Sequence, residues 1–220
     1  MDIHPHSGRI ASIRDYLVHL SMVVLGILIA LGLEQWRNAR EDAAIARRAL
    51  DDMRAEIAEN RSDLEKSAAE LEQMAPRIDR VFELQKQAID AQLQHTTPPA
   101  EPAPESNAVH FPVFSTAAWD SALAMQALGK IDPETARRVA RIYSEQRDVK
   151  EVQRSFISVA THFATMGSRG LNDPPERLRE RFGALLEFKT WMSSLDLAYR
   201  KLLKTYGDLD PVAASTGPRG

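Results

Sequence analysis

Residues 16–33 read YLVHLSMVVLGILIALGL, eighteen positions without a formal charge when His19 is neutral. As an α-helix this segment is about 27 Å long, close to the roughly 30 Å hydrocarbon core of a bilayer. Its Leu, Ile and Val residues favour insertion into that core. We therefore expect a transmembrane helix over 16–33, preceded by a short N-terminal tail, 1–15.

Two other interpretations of this segment stay open from the sequence. A buried core helix normally has a polar stripe, whereas the interruptions here are only His19, Ser21, Gly26 and Gly32. A cleaved signal peptide would use Ala30-Leu31-Gly32, a small-x-small triplet, as its cleavage site. Because helix-forming residues continue beyond Gly32 without a breaker, an uncleaved anchor is favoured.

The arginines on either side of the span bear on the orientation of the anchor. More arginines follow the span than precede it, and a literal count of positive charge puts the large domain in the cytoplasm. The rule is weak for long domains, and a short tail before an uncleaved anchor is the usual layout of an exported domain. We expect the domain to lie outside the cytoplasm. Because the chain has no cysteine, disulfides and cysteine-ligated zinc are excluded.

Beyond the span, apolar residues recur every seven positions, which is typical of a helix packed along its length. The register is kept across Pro76, so we expect a coiled-coil-like helix over 34–94 that is kinked near this proline. A second series, three residues further on, contains small and polar residues. The first series is Ile29, Trp36, Ala43, Leu50, Ile57, Leu64, Leu71 and Ile78; the second is Gly32, Ala39, Ala46, Met53, Asn60, Ser67, Met74 and Val81.

Five prolines in residues 95–112 predict a loop over 95–114, followed by a helical hairpin region, 115–209, and a flexible tail, 210–220. Ser115 is expected to cap a short helix over 116–128 that Gly129 ends. Two start signals, Asp132-Pro133-Glu134 and Asp173-Pro174-Pro175-Glu176, open two arms of equal length.

Heptad series run along both arms, so an antiparallel hairpin is expected. The first arm has Ile142, Val149, Phe156 and Phe163 with Val152, Val159 and Met166; the second has Leu178, Leu185, Met192, Tyr199 and Tyr206 with Phe188, Leu195, Leu202 and Leu209. The predicted fold class is all-α: an N-terminal transmembrane helix continues into the long heptad-patterned helix, which packs with the C-terminal hairpin as a three- to four-helix bundle.

Two stretches resemble a family of uncharacterised bacterial single-pass membrane proteins. They are VVLGILIALGLEQW, residues 23–36, and TAAWDSALAMQALGKIDPETARRVARIYSEQ, residues 116–146, together 45 of 220 residues. The resemblance implies one N-terminal anchor and a helical remainder in the bacterial inner (cytoplasmic) membrane. It implies no activity.

The sequence contains no recognised catalytic, cofactor-binding or metal-binding motif, so we expect no enzyme, cofactor or metal site. A net charge of −3 gives no electrostatic reason for a nucleic-acid partner. The charged residues of 40–72 and 134–154 are interpreted mostly as solvated helix faces. Three positions stand out: Gly26 and Ala30, where two anchors could approach closely, and Trp36, placed for the membrane interface or, equally, for the seam of the bundle.

The preferred function is a non-enzymatic scaffold or protein-interaction module at the membrane. Its expected partners are the lipid bilayer, further copies of the chain through the anchor and the heptad seam, and a protein whose identity the sequence does not give. The alternative is a membrane-linked sensor whose bundle binds a ligand or partner and signals through the anchor helix. A ligand-sized cavity between the hairpin arms would favour the sensor, and a buried cluster of carboxylates or histidines would favour an enzyme.

Overall fold

The computed structural model describes residues 13–100, 110–166 and 170–208, and these form four α-helices without a strand. The helices are α1 (Ile13–Leu93), α2 (Ala117–Ala124), α3 (Pro133–Met166) and α4 (Pro175–Gly207), and a short 3₁₀ helix (Ala127–Lys130) links α2 to α3. The predicted all-α fold is confirmed, with the long N-terminal helix packed against the C-terminal helices.

The first helix runs without a break for 81 residues and continues through Pro76. The kink expected there stays a prediction. The helix has two parts, which differ in burial. In residues 13–43, which we call the projecting segment, every described side chain is exposed, whereas a buried face begins at Ala46 and extends to Ala91.

The helices α3 and α4 form the predicted antiparallel hairpin. The hydroxyls of Tyr206 and Tyr199 accept hydrogen bonds from Gln146 and Gln153 at 2.9 and 3.0 Å. Phe163 stacks on Phe188 nearer the turn. The four residues of the first series of α3 and the five of the first series of α4 are all buried, so the heptad pattern of both arms is confirmed.

The helix α4 runs antiparallel to α1, and α3 runs parallel to α1. Phe182 of α4 contacts Phe82 of α1. Lys189, later in α4, forms an ion pair at 2.6 Å with Asp79, which is earlier in α1. On α3, Tyr143 reaches Glu56 of α1 with its hydroxyl, 2.7 Å from the carboxylate. The turn between α3 and α4 therefore lies at the end of the bundle far from the projecting segment.

The start of α3 is capped as predicted, because the Asp132 carboxylate accepts bonds from the backbone N–H groups of Glu134 and Thr135 at 3.1 and 2.9 Å. These bonds, that from Thr135 foremost, lower the pKa of Asp132. The start of α4 is different. No side chain caps it at Pro174, and Asp173 instead forms an ion pair with Arg181 at 2.9 Å.

The short helix also differs from expectation. It ends at Ala124 rather than near Leu128, and the residue that turns the chain is Gln126, with a φ of 54°, rather than Gly129. Its N-cap is Thr116, whose hydroxyl donates to the Asp120 carboxylate at 2.9 Å and does not cap the backbone. The Ser115 hydroxyl donates to the Glu56 carboxylate instead. The predictions for residues 1–12 of the N-terminal tail, the Met166 side chain, Gly167, Leu209 and the C-terminal tail lie outside the described residues.

Candidate functional site

The projecting segment carries the apolar stretch 16–33. None of the side chains in its most apolar eighteen-residue window is buried, so the buried-core interpretation is wrong. The helix is long and apolar enough to cross a membrane, a property that N-terminal signal sequences share. Gly26 and Ala30 are exposed on it, and nothing lies within 4 Å of a Cβ added at Gly26.

Trp36 lies three residues beyond the apolar stretch and is 54% exposed. It does not pack in the bundle, so its interpretation as a seam residue is wrong. The contact that it makes is with Arg40, whose guanidinium carbon lies 4.3 Å from the centre of the indole ring. Its place at the membrane interface stays a prediction.

The heptad face of α1 is exposed in the projecting segment and covered in the bundle. Trp36, Ala39 and Ala43 are exposed, whereas the same face from Ala46 onward is covered by the chain's own helices. The 3₁₀ helix marks the boundary, because Lys130 forms an ion pair with Asp42 at 2.8 Å. A seam available to a second copy is thus confined to the projecting segment.

The groove between α1 and α3 is filled by an extended segment, residues 110–116, which we call the strap. Pro112 and Phe114 are buried there, while Val113 between them is 81% exposed. Phe111 contacts the ring of Phe156, with centroids 5.8 Å apart. An extended backbone buries alternate side chains but leaves its N–H and C=O groups in need of partners.

Side chains of α1 supply those partners on one side of the strap. The Asn60 side chain accepts a bond from the backbone N–H of Ser115 and donates one to its carbonyl, both at 2.9 Å. The Asp63 carboxylate accepts bonds from the N–H of Val113 at 3.0 Å and from the ring of His110 at 2.9 Å. These bonds, the one from His110 first, hold the pKa of Asp63 below its usual range.

The third acceptor on α1 is Glu70, whose carboxylate accepts a bond from the backbone N–H of His110 at 2.9 Å. On the opposite side, α3 donates to strap carbonyls: Lys150 to Phe114 at 2.9 Å and Gln153 to Pro112 at 3.4 Å. The strap is therefore held through its backbone by both helices, and it forms much of the contact between them.

The centre of the site is Glu56, which is only 8% exposed. Its carboxylate accepts bonds from the Ser115 hydroxyl at 2.6 Å, the Tyr143 hydroxyl at 2.7 Å and the Ala118 N–H at 3.0 Å. Burial alone would raise the pKa of Glu56, but these bonds outweigh it, so the pKa lies below its ordinary value. Ser115 thus donates to a carboxylate, although its Oγ also accepts a 3.4 Å bond from the Ala117 N–H.

Burial governs the tyrosines that line the hairpin beside this site. It raises the pKa of Tyr199 and of Tyr206 to about 12 each, and raises that of Tyr143, which also donates to Glu56, further. All three hydroxyls are therefore protonated at neutral pH. They act as hydrogen-bonding groups of the core rather than as acids.

The sequence interpretation missed the acidic side of this site. Glu56, Asp63 and Glu70 recur every seven residues, the same spacing as the apolar series, and were counted among solvated faces. The spacing was a usable signal, because residues seven apart lie on one stripe of a helix and so face the same surroundings. Asn60 and Ser67, the polar members of the second series, are buried on α1.

An open surface pocket of about 540 Å³ lies where α3 begins and α4 ends, near the projecting segment. It is lined by Glu134, Arg137, Arg138, Arg141 and Asp208. Glu134 forms an ion pair with Arg138, and Arg137 donates to the Pro133 carbonyl at 3.1 Å. The lining keeps a positive excess of one charge, three arginines against two acids.

Among the described residues, no group of three or more histidine or acidic side chains is arranged to hold a metal ion. Glu56 is the one carboxylate residue there classed as buried, and its bonds come from the protein itself. The arrangement can hold a peptide segment in place.

No protein-family model, curated protein or solved structure matches the chain. The structure shows a mostly helical chain with one long apolar helix near its N-terminus.

Proposed function

We propose that this protein is a single-pass protein of the bacterial cytoplasmic membrane whose helical bundle serves as a non-enzymatic scaffold outside the cytoplasm. The observation that supports this most is the exposure of the whole apolar stretch 16–33 on a helix continuous with the bundle. An apolar surface of that length is unfavourable in water, and the hydrocarbon core of a bilayer matches its dimension.

The projecting segment then determines how far the bundle stands from the membrane. Between Leu33, the end of the apolar stretch, and Ala46, the first buried residue, the helix rises about 20 Å. Residues 34–43 are exposed and rich in charge. A bundle raised on such a stalk has its sides open to partners beside the membrane, which suits a scaffold.

The membrane placement is tested with single cysteines in the cysteine-free chain. Ser62 is exposed on α1, whereas the nearby Ser67 is fully buried, so cysteine is placed at 62 and, in a separate variant, at 7. Intact cells are labelled with a membrane-impermeant thiol reagent, and their membranes are washed at alkaline pH. The proposal predicts retention in the membrane and labelling at 62 alone. Release by the wash would contradict the anchor, and labelling at 7 alone would reverse the orientation.

Self-association of the scaffold would use Gly26 and Ala30, which lie four residues apart on one face of the projecting segment. Small residues at this spacing let two membrane helices approach closely. Gly26→Leu and Ala30→Leu should each weaken association in a transmembrane-dimerisation reporter. Ser21→Leu is the matched control, because position 21 lies on the opposite face. Equal signals from all three variants would contradict this role.

The sensor is the second candidate, and the open basic pocket beside Arg137 and Arg141 is the observation that favours it. Its volume suits a small molecule, and its charge suits an anion. The full-length protein in detergent is titrated calorimetrically with succinate and with inorganic phosphate. Binding that Arg141→Gln weakens, and that Arg154→Gln on the same helix leaves intact, would favour the sensor; absence of binding would favour the scaffold.

A further inference from the structure

Two arginines follow Trp36 closely on the projecting segment. Arg37 and Arg40 are both exposed, and the guanidinium of Arg40 is drawn back along the helix onto the indole of Trp36. Side chains on a helix tilt toward its N-terminus, so this contact places the Arg40 charge about one turn below its own Cα. The charge of Arg40 thereby comes to about the height of the Arg37 Cα, beside the indole.

The heights match the layer of lipid headgroups. Measured from Leu33, the backbone of Trp36 rises about 4.5 Å, that of Arg37 about 6 Å and that of Arg40 about 10 Å. The headgroup layer extends about 5–7 Å beyond each side of the hydrocarbon core. The Arg40 guanidinium and the backbone of Arg37 therefore fall in this layer when residues 16–33 fill the core.

The three side chains also share one side of the helix. At about 100° per residue, Arg40 lies about 40° and Arg37 about 100° around the axis from Trp36. Of the two nearby acidic residues, Glu34 lies about 160° from Trp36 around the axis, and Glu41, one turn above Arg37, about 140°. The arc between Trp36 and Arg37 is therefore positively charged, with an aromatic edge.

An arginine that stacks on an aromatic ring keeps its donors available. A cation–π contact uses the face of the guanidinium, whereas its N–H groups point outward from the edge in the plane. A phosphate accepts two such N–H groups at once, and an arginine whose side chain is already held loses less freedom when it binds.

We infer that Trp36, Arg37 and Arg40 form a binding site for the phosphate of an anionic lipid headgroup, which fixes the depth of the anchor in the membrane. This inference rests on the proposed membrane placement of 16–33. It adds a specific partner, an anionic phospholipid, whereas the apolar stretch alone requires only the hydrocarbon core of a bilayer. The same chemistry would accept free phosphate, so the test separates the two sources.

The test uses Trp36 as its own local probe. Trp119 and Trp191 are changed to phenylalanine in the full-length chain, which is reconstituted in phosphatidylcholine vesicles with increasing amounts of phosphatidylglycerol brominated in its acyl chains. Quenching of Trp36 reports the lipid that binds beside it. If the double replacement does not fold, the signal of a Trp36→Phe protein is subtracted from that of the otherwise unchanged chain.

We expect quenching in excess of the bulk lipid fraction, with a preference of about 30-fold for the anionic lipid, since each arginine near the surface contributes about fivefold. Arg40→Gln should lower the preference about fivefold, and Arg37→Gln with Arg40→Gln should abolish it. The matched control is Arg47→Gln with Arg48→Gln, an equal loss of charge on the same side of the helix but about 20 Å above Leu33. This control should keep the preference.

Equal effects of the two double variants would overturn the site, because only general charge would then be involved. Loss of the excess quenching on addition of inorganic phosphate at constant ionic strength would overturn the assignment to a lipid. Alkaline washing of the same vesicles keeps the two proposals apart. Release of the protein refutes the anchor, whereas a retained protein without lipid preference refutes the headgroup site alone.

Discussion

The bonds to Glu56 predict a large loss of stability when its side chain is removed. Glu56→Ala leaves the buried Tyr143 hydroxyl and the Ala118 N–H without an acceptor, whereas the exposed Ser115 can turn to water. An unpaired buried donor costs about 1–3 kcal/mol, so we expect a loss of about 4 kcal/mol in the free energy of unfolding. Glu56→Gln keeps one acceptor oxygen and should lose about 1.5 kcal/mol, because a charge-assisted bond becomes a neutral one.

The assay is urea unfolding of the full chain in detergent micelles, followed by circular dichroism. With a slope of about 2 kcal/mol per molar urea, Glu56→Ala should lower the midpoint by about 2 M. The matched control is Glu59→Ala, an exposed glutamate on the same helix, which should change the free energy of unfolding by less than about 0.5 kcal/mol. A Glu56→Ala protein as stable as this control would refute the role assigned to the carboxylate.

The dependence on pH follows from the lowered pKa of Glu56. A carboxylate whose pKa is lower in the folded than in the unfolded protein stabilises the fold above its unfolded pKa of about 4.3. That contribution is lost as the pH falls through the folded pKa. The difference in stability between the natural protein and Glu56→Gln should therefore be constant above about pH 5 and shrink below pH 4. A difference that grows on acidification would contradict this assignment.

Three further predictions concern the backbone and the core. Gly170→Ala should destabilise the protein by about 1–2 kcal/mol in the same unfolding assay, because φ is 117° there and a Cβ would lie 2.5 Å from the Asp173 carboxylate. Gln126→Gly should stabilise it by about 0.5–1 kcal/mol, since glycine adopts a φ of 54° without strain; an unchanged midpoint would count against strain at this turn. Leu195→Ala, at a fully buried position, should cost about 2–5 kcal/mol, and a thermal melt that does not shift would contradict its place in the core.

The long helices could be predicted because their packing repeats along the chain. A helix that buries one face against another helix needs an apolar residue about every seven positions, and this requirement is visible in α1, α3 and α4 without knowledge of the partner. The start of α3 at Asp132-Pro133 could be predicted because a cap uses only residues near it in sequence. The buried face of α4, from Leu178 to Tyr206, follows the predicted series.

The strap could not be predicted, because its bonds join residues far apart in sequence. Ser115 was expected to cap the helix that follows it, a local role. Its hydroxyl instead donates to Glu56, 59 residues earlier in the chain, since an ionised carboxylate is a stronger acceptor than a neutral oxygen. Nothing in the residues around 110–116 shows that Asn60 and Asp63 will hold their backbone.

The strap bears on the choice between scaffold and sensor. Helix α1 belongs to both the anchor and the bundle. Helix α4 contacts it directly, whereas α3 contacts it largely through the strap. Rotating or sliding α1 relative to the hairpin would therefore require the bonds of Glu56, Asn60 and Asp63 to break together, and those of the two carboxylates are charge-assisted. A sensor needs two arrangements that differ by only a few kcal/mol. A helix held in this way favours one arrangement, and so we expect the bundle to move with its anchor as a rigid unit, as a scaffold does.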